Sequence, residues 1–124
     1  RAGADPEADS RFARVPQGSW RTDSPGAQRK LDALDKLEKV AVDAGTDLIG
    51  LSIAFAKAHP AVSSVIIGPR TVGQLESQLL AADLVLDEDI LDRIDEIVSP
   101  GTTIARGDLA FEPRAVRHKR LRRR

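Results

Sequence analysis

The sequence of 124 residues contains no cysteine, no methionine and no tyrosine, and it has only one tryptophan and three phenylalanines. Without cysteine it can form no disulfide framework, no cysteine-ligated zinc site and no thiol nucleophile. Without tyrosine, a reaction that needs a phenol as its proton donor must take that phenol from another chain. With so few aromatic side chains, the core has to be built from leucine, isoleucine, valine and alanine.

Long hydrophobic runs are also missing. No stretch approaches the roughly 18 consecutive apolar residues that a helix needs to span a bilayer. The first ten residues lack the apolar segment found in signal peptides. The sequence therefore predicts a cytoplasmic chain that makes no membrane contact.

The formal net charge of zero hides an uneven distribution of charges. Residues 114–124 carry seven lysines and arginines and no acid, so the preceding residues hold 12 basic against 19 acidic side chains, a net charge of −7. This pattern supports one functional hypothesis, a small helical interaction module that binds nucleic acid or an acidic partner through its arginine-rich tail. The tail lacks aromatic residues that could stack on bases. The alternative interpretation is a disordered basic arm beside an acidic body.

Apolar periodicity divides the chain into three parts. Residues 1–26 are rich in glycine, proline, serine, aspartate and arginine and predict an irregular loop. Residues 27–101 carry the periodic pattern, and residues 102–124 predict an irregular basic tail. The middle part begins with an amphipathic helix that ends at Gly45. Its second helix follows a Thr46 cap, and two more helices cover residues 72–82 and the segment after Asp87.

Between the second and third predicted helices lies the only convincing strand, the β-branched run Val62–Ile67. One strand cannot form a sheet, because its backbone donors and acceptors would be left unpaired. Two interpretations follow: a helical bundle with one extended segment, or a fragment whose other strands lie elsewhere. The fragment explains more of the pattern, so the sequence predicts an α/β chain that is mostly helical.

The turn after this strand carries the clearest chemical signal. Gly68 and Pro69 end the strand, Arg70 and Thr71 follow, and a helix begins at once. The free N–H groups of the first helical turn, the helix dipole, the guanidinium and the hydroxyl would converge on one point, an arrangement that binds phosphate. The other interpretation is that Thr71 only caps the helix while the Arg70 side chain extends into solvent.

Other polar residues give no catalytic or metal site. His59 precedes a proline at a helix end, where a structural role is expected. Asp87, Glu88 and Asp89 are explained by the cap and first turn of a helix, where acids interact favourably with the dipole, better than by a metal. The sequence therefore predicts no metal ligand and no catalytic residue in this chain.

The segment from Leu31 to Val98 resembles the C-terminal part of the aldo-keto reductases. The matching motifs are "HPAV" at residues 59–62, "VIIGPRT" at residues 65–71 and "QLE" at residues 74–76. The resemblance implies a (β/α)8 TIM barrel that reduces carbonyls with NADPH, of which this chain would hold the C-terminal part. It also implies that Arg70 and Thr71 bind the 2′-phosphate of NADP.

The same resemblance assigns the rest of the cofactor site. Gly68 and Pro69 would let the backbone pass close to the cofactor, Gln74 would lie beside the phosphate, and Gln78 would face the adenine. Ser77 and Gln78 depart from the acid and asparagine that the family commonly has there. The catalytic residues of the family lie on earlier strands, so the isolated chain is expected to be inactive unless a further chain supplies the missing barrel strands.

Overall fold

The computed structural model describes residues 25–104 and 111–122. This part of the chain contains the helices α1 (Pro25–Asp43), α2 (Leu48–Lys57), α3 (Val72–Leu79), α4 (Glu88–Ile97) and α5 (Arg114–Arg117), followed by a 3-10 turn, Lys119–Leu121. Helices α1 to α4 confirm the four predicted from periodicity. Apart from Pro25 and Gly26, which begin α1, the loop predicted for residues 1–26 lies outside the described residues. None of the described helices is both long and apolar enough to cross a membrane.

The core lies between α1, α2 and α4. Helix α1 packs against both α2 and α4, and its apolar stripe meets theirs because the apolar side chains recur at three- and four-residue spacing. The buried cluster consists of Val40, Ala41, Leu51, Ala54, Leu86, Ile90, Leu91 and Ile94. An ion pair between Arg93 and Asp43, with 2.5 Å between nitrogen and oxygen, joins α4 to α1 outside this cluster. Leucine, isoleucine, valine and alanine thus form the core that the composition predicts.

Aspartates cap two of the core helices. Asp87 accepts a hydrogen bond from the Ile90 N–H at 2.8 Å, which confirms the predicted cap of α4. The predicted Thr46 cap of α2 is wrong. Asp47 occupies that position and accepts from the Gly50 N–H at 2.8 Å. Threonine and aspartate can each accept from the free N–H groups of a first turn. The helix begins one residue later than expected, so Asp47 and not Thr46 stands at the capping position.

The segment Val62–Ile67 is not a strand in the described part of the chain, so the expectation of one clear strand is wrong. A strand is defined by its hydrogen-bonded neighbour, and none of the described residues forms one beside this segment. Ile66 is 96% exposed, while Val65 and Ile67 on either side are partly buried. The β-branched composition gives the segment strand propensity, but propensity alone supplies no partner for the backbone.

The described part of the basic tail is folded back onto the helices, and α5 replaces part of the irregular structure predicted there. The Arg122 guanidinium donates to the carbonyl oxygens of Ala115 at 2.9 Å, Val116 at 2.9 Å and Pro100 at 3.0 Å. Gly101 lies directly against this guanidinium with φ +80°. Arg122 therefore ties the tail to the segment that follows α4.

Candidate phosphate-binding site

Helix α3 and the turn before it form the candidate site. The turn comprises Gly68, Pro69, Arg70 and Thr71, and it connects the irregular segment after α2 to the first residue of α3. Helix α3 packs against α2, but none of its own eight residues is buried. The first buried residue after it is Ala81, which is 1% exposed. The site therefore lies at the outer edge of the described fold.

Two side chains fix the conformation of the turn. Thr71 caps α3, its Oγ1 accepting a hydrogen bond from the Gln74 N–H at 3.2 Å. The Gln74 Oε1 in turn accepts from the Arg70 N–H at 2.7 Å. This reciprocal pair is a variant of the capping box. The threonine accepts from the N–H of the glutamine three residues later, and the glutamine side chain accepts from the N–H of the residue before the threonine. The Thr-x-x-Gln spacing is visible in the sequence and was missed there.

Several donors remain available at the start of α3. Within the described residues, the backbone N–H groups of Val72 and Gly73 make no hydrogen bond. The Thr71 hydroxyl is used as an acceptor, and its proton can still be donated. These three donors lie at the positive end of the helix dipole, beside the exposed Arg70. A phosphate oxygen is the kind of acceptor that such a group of donors binds.

The glycines of this region leave room for a ligand. A Cβ atom added to Gly68 or to Gly73 would meet no other atom within 4 Å. Neither glycine has a positive φ, so the backbone does not need glycine for conformational reasons. Because these two residues lack side chains, there is open space before Arg70 and after Thr71.

Gln78 lies one helical turn beyond Gln74. Its Oε1 is buried and has no hydrogen-bond partner within the described part of the chain. The side chain lines an open cleft of about 500 Å³ between α2, α3 and the segment before the turn. The cleft is lined by Leu48, Ile49, Ser52, Ile53, Val65, Ile66, Ile67, Gly68 and Gln78. A buried amide oxygen without a partner is costly, so a donor from a ligand would be favourable there.

The remaining candidates do not join this site. Ser77 donates its hydroxyl to the Gln74 carbonyl within α3, at 3.0 Å. His59 accepts from the Ala61 N–H through Nδ1 at 3.1 Å, which leaves Nε2 as the donor to the Leu121 carbonyl at 3.3 Å. This histidine connects the end of α2 to the basic tail and has the structural role expected. No group of three potential metal ligands occurs among the described residues.

Comparisons with known proteins agree with the resemblance in the sequence. A family model described as "Aldo/keto reductase family" matches residues 2–99. An uncharacterized oxidoreductase, YrpG of Bacillus subtilis (strain 168), is 33% identical over 64 residues, which make up 52% of this chain and 20% of the relative. The chain thus aligns with only a small part of that oxidoreductase. No solved structure matches the chain. These matches give no support to a nucleic-acid-binding interaction module. Because the family model covers most of the sequence, the chain belongs to the aldo/keto reductase family.

Proposed function

We propose that this chain is the C-terminal part of a cytoplasmic, NADP-dependent aldo-keto reductase, and that its turn at residues 68–71 and the N-terminus of α3 bind the 2′-phosphate of NADP(H). The observation that carries the proposal is the group of donors at the start of α3. They are the Thr71 hydroxyl and the N–H groups of Val72 and Gly73, and Arg70 lies beside them. This set fits a phosphate in charge, in donor number and in position relative to the helix dipole.

The adenine half of the cofactor fits the same region. The unpartnered Gln78 Oε1 can accept a hydrogen bond from an amino group such as that of adenine. The Gln74 Oε1 is engaged by the Arg70 backbone, so the amide nitrogen of Gln74 is the group that can contact the ligand. Gly68 lines the cleft, and a Cβ atom added to it would meet no other atom within 4 Å.

When bound, NADPH supplies a hydride for the reduction of a carbonyl. The residues of this chain would bind and orient the adenosine 2′-phosphate rather than handle the reacting atoms. The sequence contains no tyrosine, so a phenolic proton donor would have to come from outside these 124 residues. We therefore expect the chain by itself to bind the nucleotide weakly and to turn over no carbonyl substrate.

Replacing Arg70 by methionine tests the phosphate assignment. We expect the affinity of the chain for 2′,5′-ADP to fall roughly ten- to a hundredfold, because a charge-assisted hydrogen bond contributes about 1.5–3 kcal/mol. Binding of 5′-AMP, which lacks the 2′-phosphate, is expected to stay unchanged. Isothermal titration calorimetry measures both affinities.

The matched control is Arg114→Met, since Arg114 is an exposed arginine on α5 and lies outside the proposed site. It removes the same charge and is expected to leave both affinities unchanged. Equal losses in the two variants would mean that net charge, rather than the turn, attracts the nucleotide. An unchanged affinity in Arg70→Met would show the assignment to be wrong.

The barrel fold that the family implies is also part of the proposal. In it, the segment Val62–Ile67 would pair with strands that lie outside the described residues and would cover the exposed Ile66 side chain. In the 124-residue chain alone, the N–H groups of Val65, Ile66 and Ile67 have no backbone hydrogen bond among the described residues. Their amide hydrogens are expected to exchange at nearly unprotected rates, in contrast to those of α1 and α4. Strong protection of these three amides would show that the chain pairs the segment by itself.

A further inference from the structure

We propose that Lys57 is a positioning residue, which holds α3 by its C-terminal end and thereby sets the position of the Arg70–Thr71 turn. The holding role rests on the contacts of α3 alone. Its consequence for nucleotide binding rests on the proposed function.

The contact joins the last residue of α2 to the turn after α3. The Lys57 Nζ donates a hydrogen bond to the Ala82 carbonyl and lies 3.5 Å from the Ala81 carbonyl. Both carbonyls follow the last residues of α3, at the negative end of its dipole. These carbonyls belong to the turn after Leu79 and not to α3 itself, and the Ala81 carbonyl also accepts from the Leu84 N–H at 3.3 Å. An ammonium group at this position interacts favourably with the negative end of the helix dipole. Lys57 thus acts on α3 rather than on the end of its own helix.

Helix α3 has few other attachments. None of its residues is buried, and the leucines at its C-terminal end, Leu79 and Leu80, are 54% and 85% exposed. Its apolar contact with the rest of the described chain is made mainly toward α2, with the buried Ala81 just beyond its end. When so little apolar surface holds a helix, a charge-assisted hydrogen bond to the turn at its end accounts for a large share of what fixes its direction.

The geometry converts a small change at one end of α3 into a larger one at the other. A helix of eight residues is about 12 Å long, so a tilt of about 10° at its C-terminus displaces its N-terminus by about 2 Å. A binding site keeps its affinity only when its donors stay within about 0.5 Å of the productive geometry. Losing the Lys57 contact would therefore disturb donors at Thr71, Val72 and Gly73 that Lys57 itself does not touch.

The test compares Lys57→Met, which keeps an unbranched apolar side chain, with Lys57→Arg, which keeps the charge. Lys39→Met, a change at an exposed lysine of α1, is the matched control. Amide hydrogen exchange and the affinity for 2′,5′-ADP are measured for each variant. In Lys57→Met we expect the α3 amides to exchange about tenfold faster and the affinity to fall about three- to tenfold, while the exchange of α1 and α4 is unchanged. Lys57→Arg is expected to restore both values, and Lys39→Met to alter neither.

The outcomes separate this proposal from the preceding one. Unchanged exchange in α3 would overturn the role of Lys57, and so would a failure of arginine to restore it or an equal acceleration in the core helices. If 2′,5′-ADP does not bind the unaltered chain, the proposed function fails, while faster exchange confined to α3 still supports the holding role. Faster α3 exchange with unchanged affinity would overturn the claim that Lys57 positions the phosphate-binding turn.

Discussion

Replacing Leu51 by alanine is expected to lower the free energy of unfolding by about 2–5 kcal/mol, the range observed when large buried aliphatic side chains are truncated. Leu51 is 3% exposed and lies on α2, in the buried cluster where α1, α2 and α4 meet. Its loss removes apolar contacts and leaves a cavity that three helices cannot close without shifting. For a chain of this size such a loss is a large part of the total stability. Urea denaturation followed by circular dichroism measures the change.

The matched control is Leu80→Ala, which makes the same chemical change at a residue that is 85% exposed. It is expected to alter the free energy of unfolding by no more than about 0.5 kcal/mol. Similar effects from the two substitutions would contradict the three-helix core. A large effect from Leu80→Ala alone would mean that the face of α3 is covered in solution by something absent from the described residues.

Replacing Thr71 by aspartate is expected to reduce the affinity for 2′,5′-ADP by about a hundredfold or more while leaving the helix intact. Aspartate caps a helix as well as threonine does, so the hydrogen bond to the Gln74 N–H is kept. It has no hydroxyl proton to donate at neutral pH, and its negative charge repels a phosphate at short range. Calorimetric titration gives the affinity, and circular dichroism gives the helical content.

Thr71→Ser is the companion variant, because serine keeps both the cap and the hydroxyl donor. It is expected to bind 2′,5′-ADP within about threefold of the unaltered chain, since no charge or hydrogen bond is lost. If Thr71→Asp bound as tightly as Thr71→Ser, the cap would be the sole role of this residue. That result would favour the simpler interpretation of the turn, in which no phosphate is bound.

The helices could be predicted from the sequence because their signals are local. The stripe Ile90, Leu91 and Ile94 is buried as its spacing predicts. Gly45 ends its helix with φ +71°, a left-handed conformation in which glycine is favoured because it has no Cβ. Caps, stripes and terminating glycines depend on neighbours within four residues, so one sequence contains what determines them.

Features that depend on distant partners could not be predicted in the same way. The strand expected at Val62–Ile67 requires a neighbouring strand, which the segment cannot supply for itself. The contact of Lys57 with Ala82 joins positions 25 residues apart, and nothing in the local pattern indicates it. The capping role of Gln74 is different, because its spacing from Thr71 is local and could have been recognised. At the site, sequence spacing identified the turn, but not which atoms of it are already engaged.

The contact between Gly101 and Arg122 has a consequence for how these two positions can change in evolution. A Cβ atom at residue 101 would lie 2.1 Å from the Arg122 guanidinium carbon, so a side chain there would force the guanidinium to move. The φ of +80° at this residue disfavours a side chain as well. The hydrogen bonds of Arg122 to the three carbonyls use the space that glycine leaves at position 101. We therefore expect that related chains with a side chain at position 101 lack the arginine at position 122.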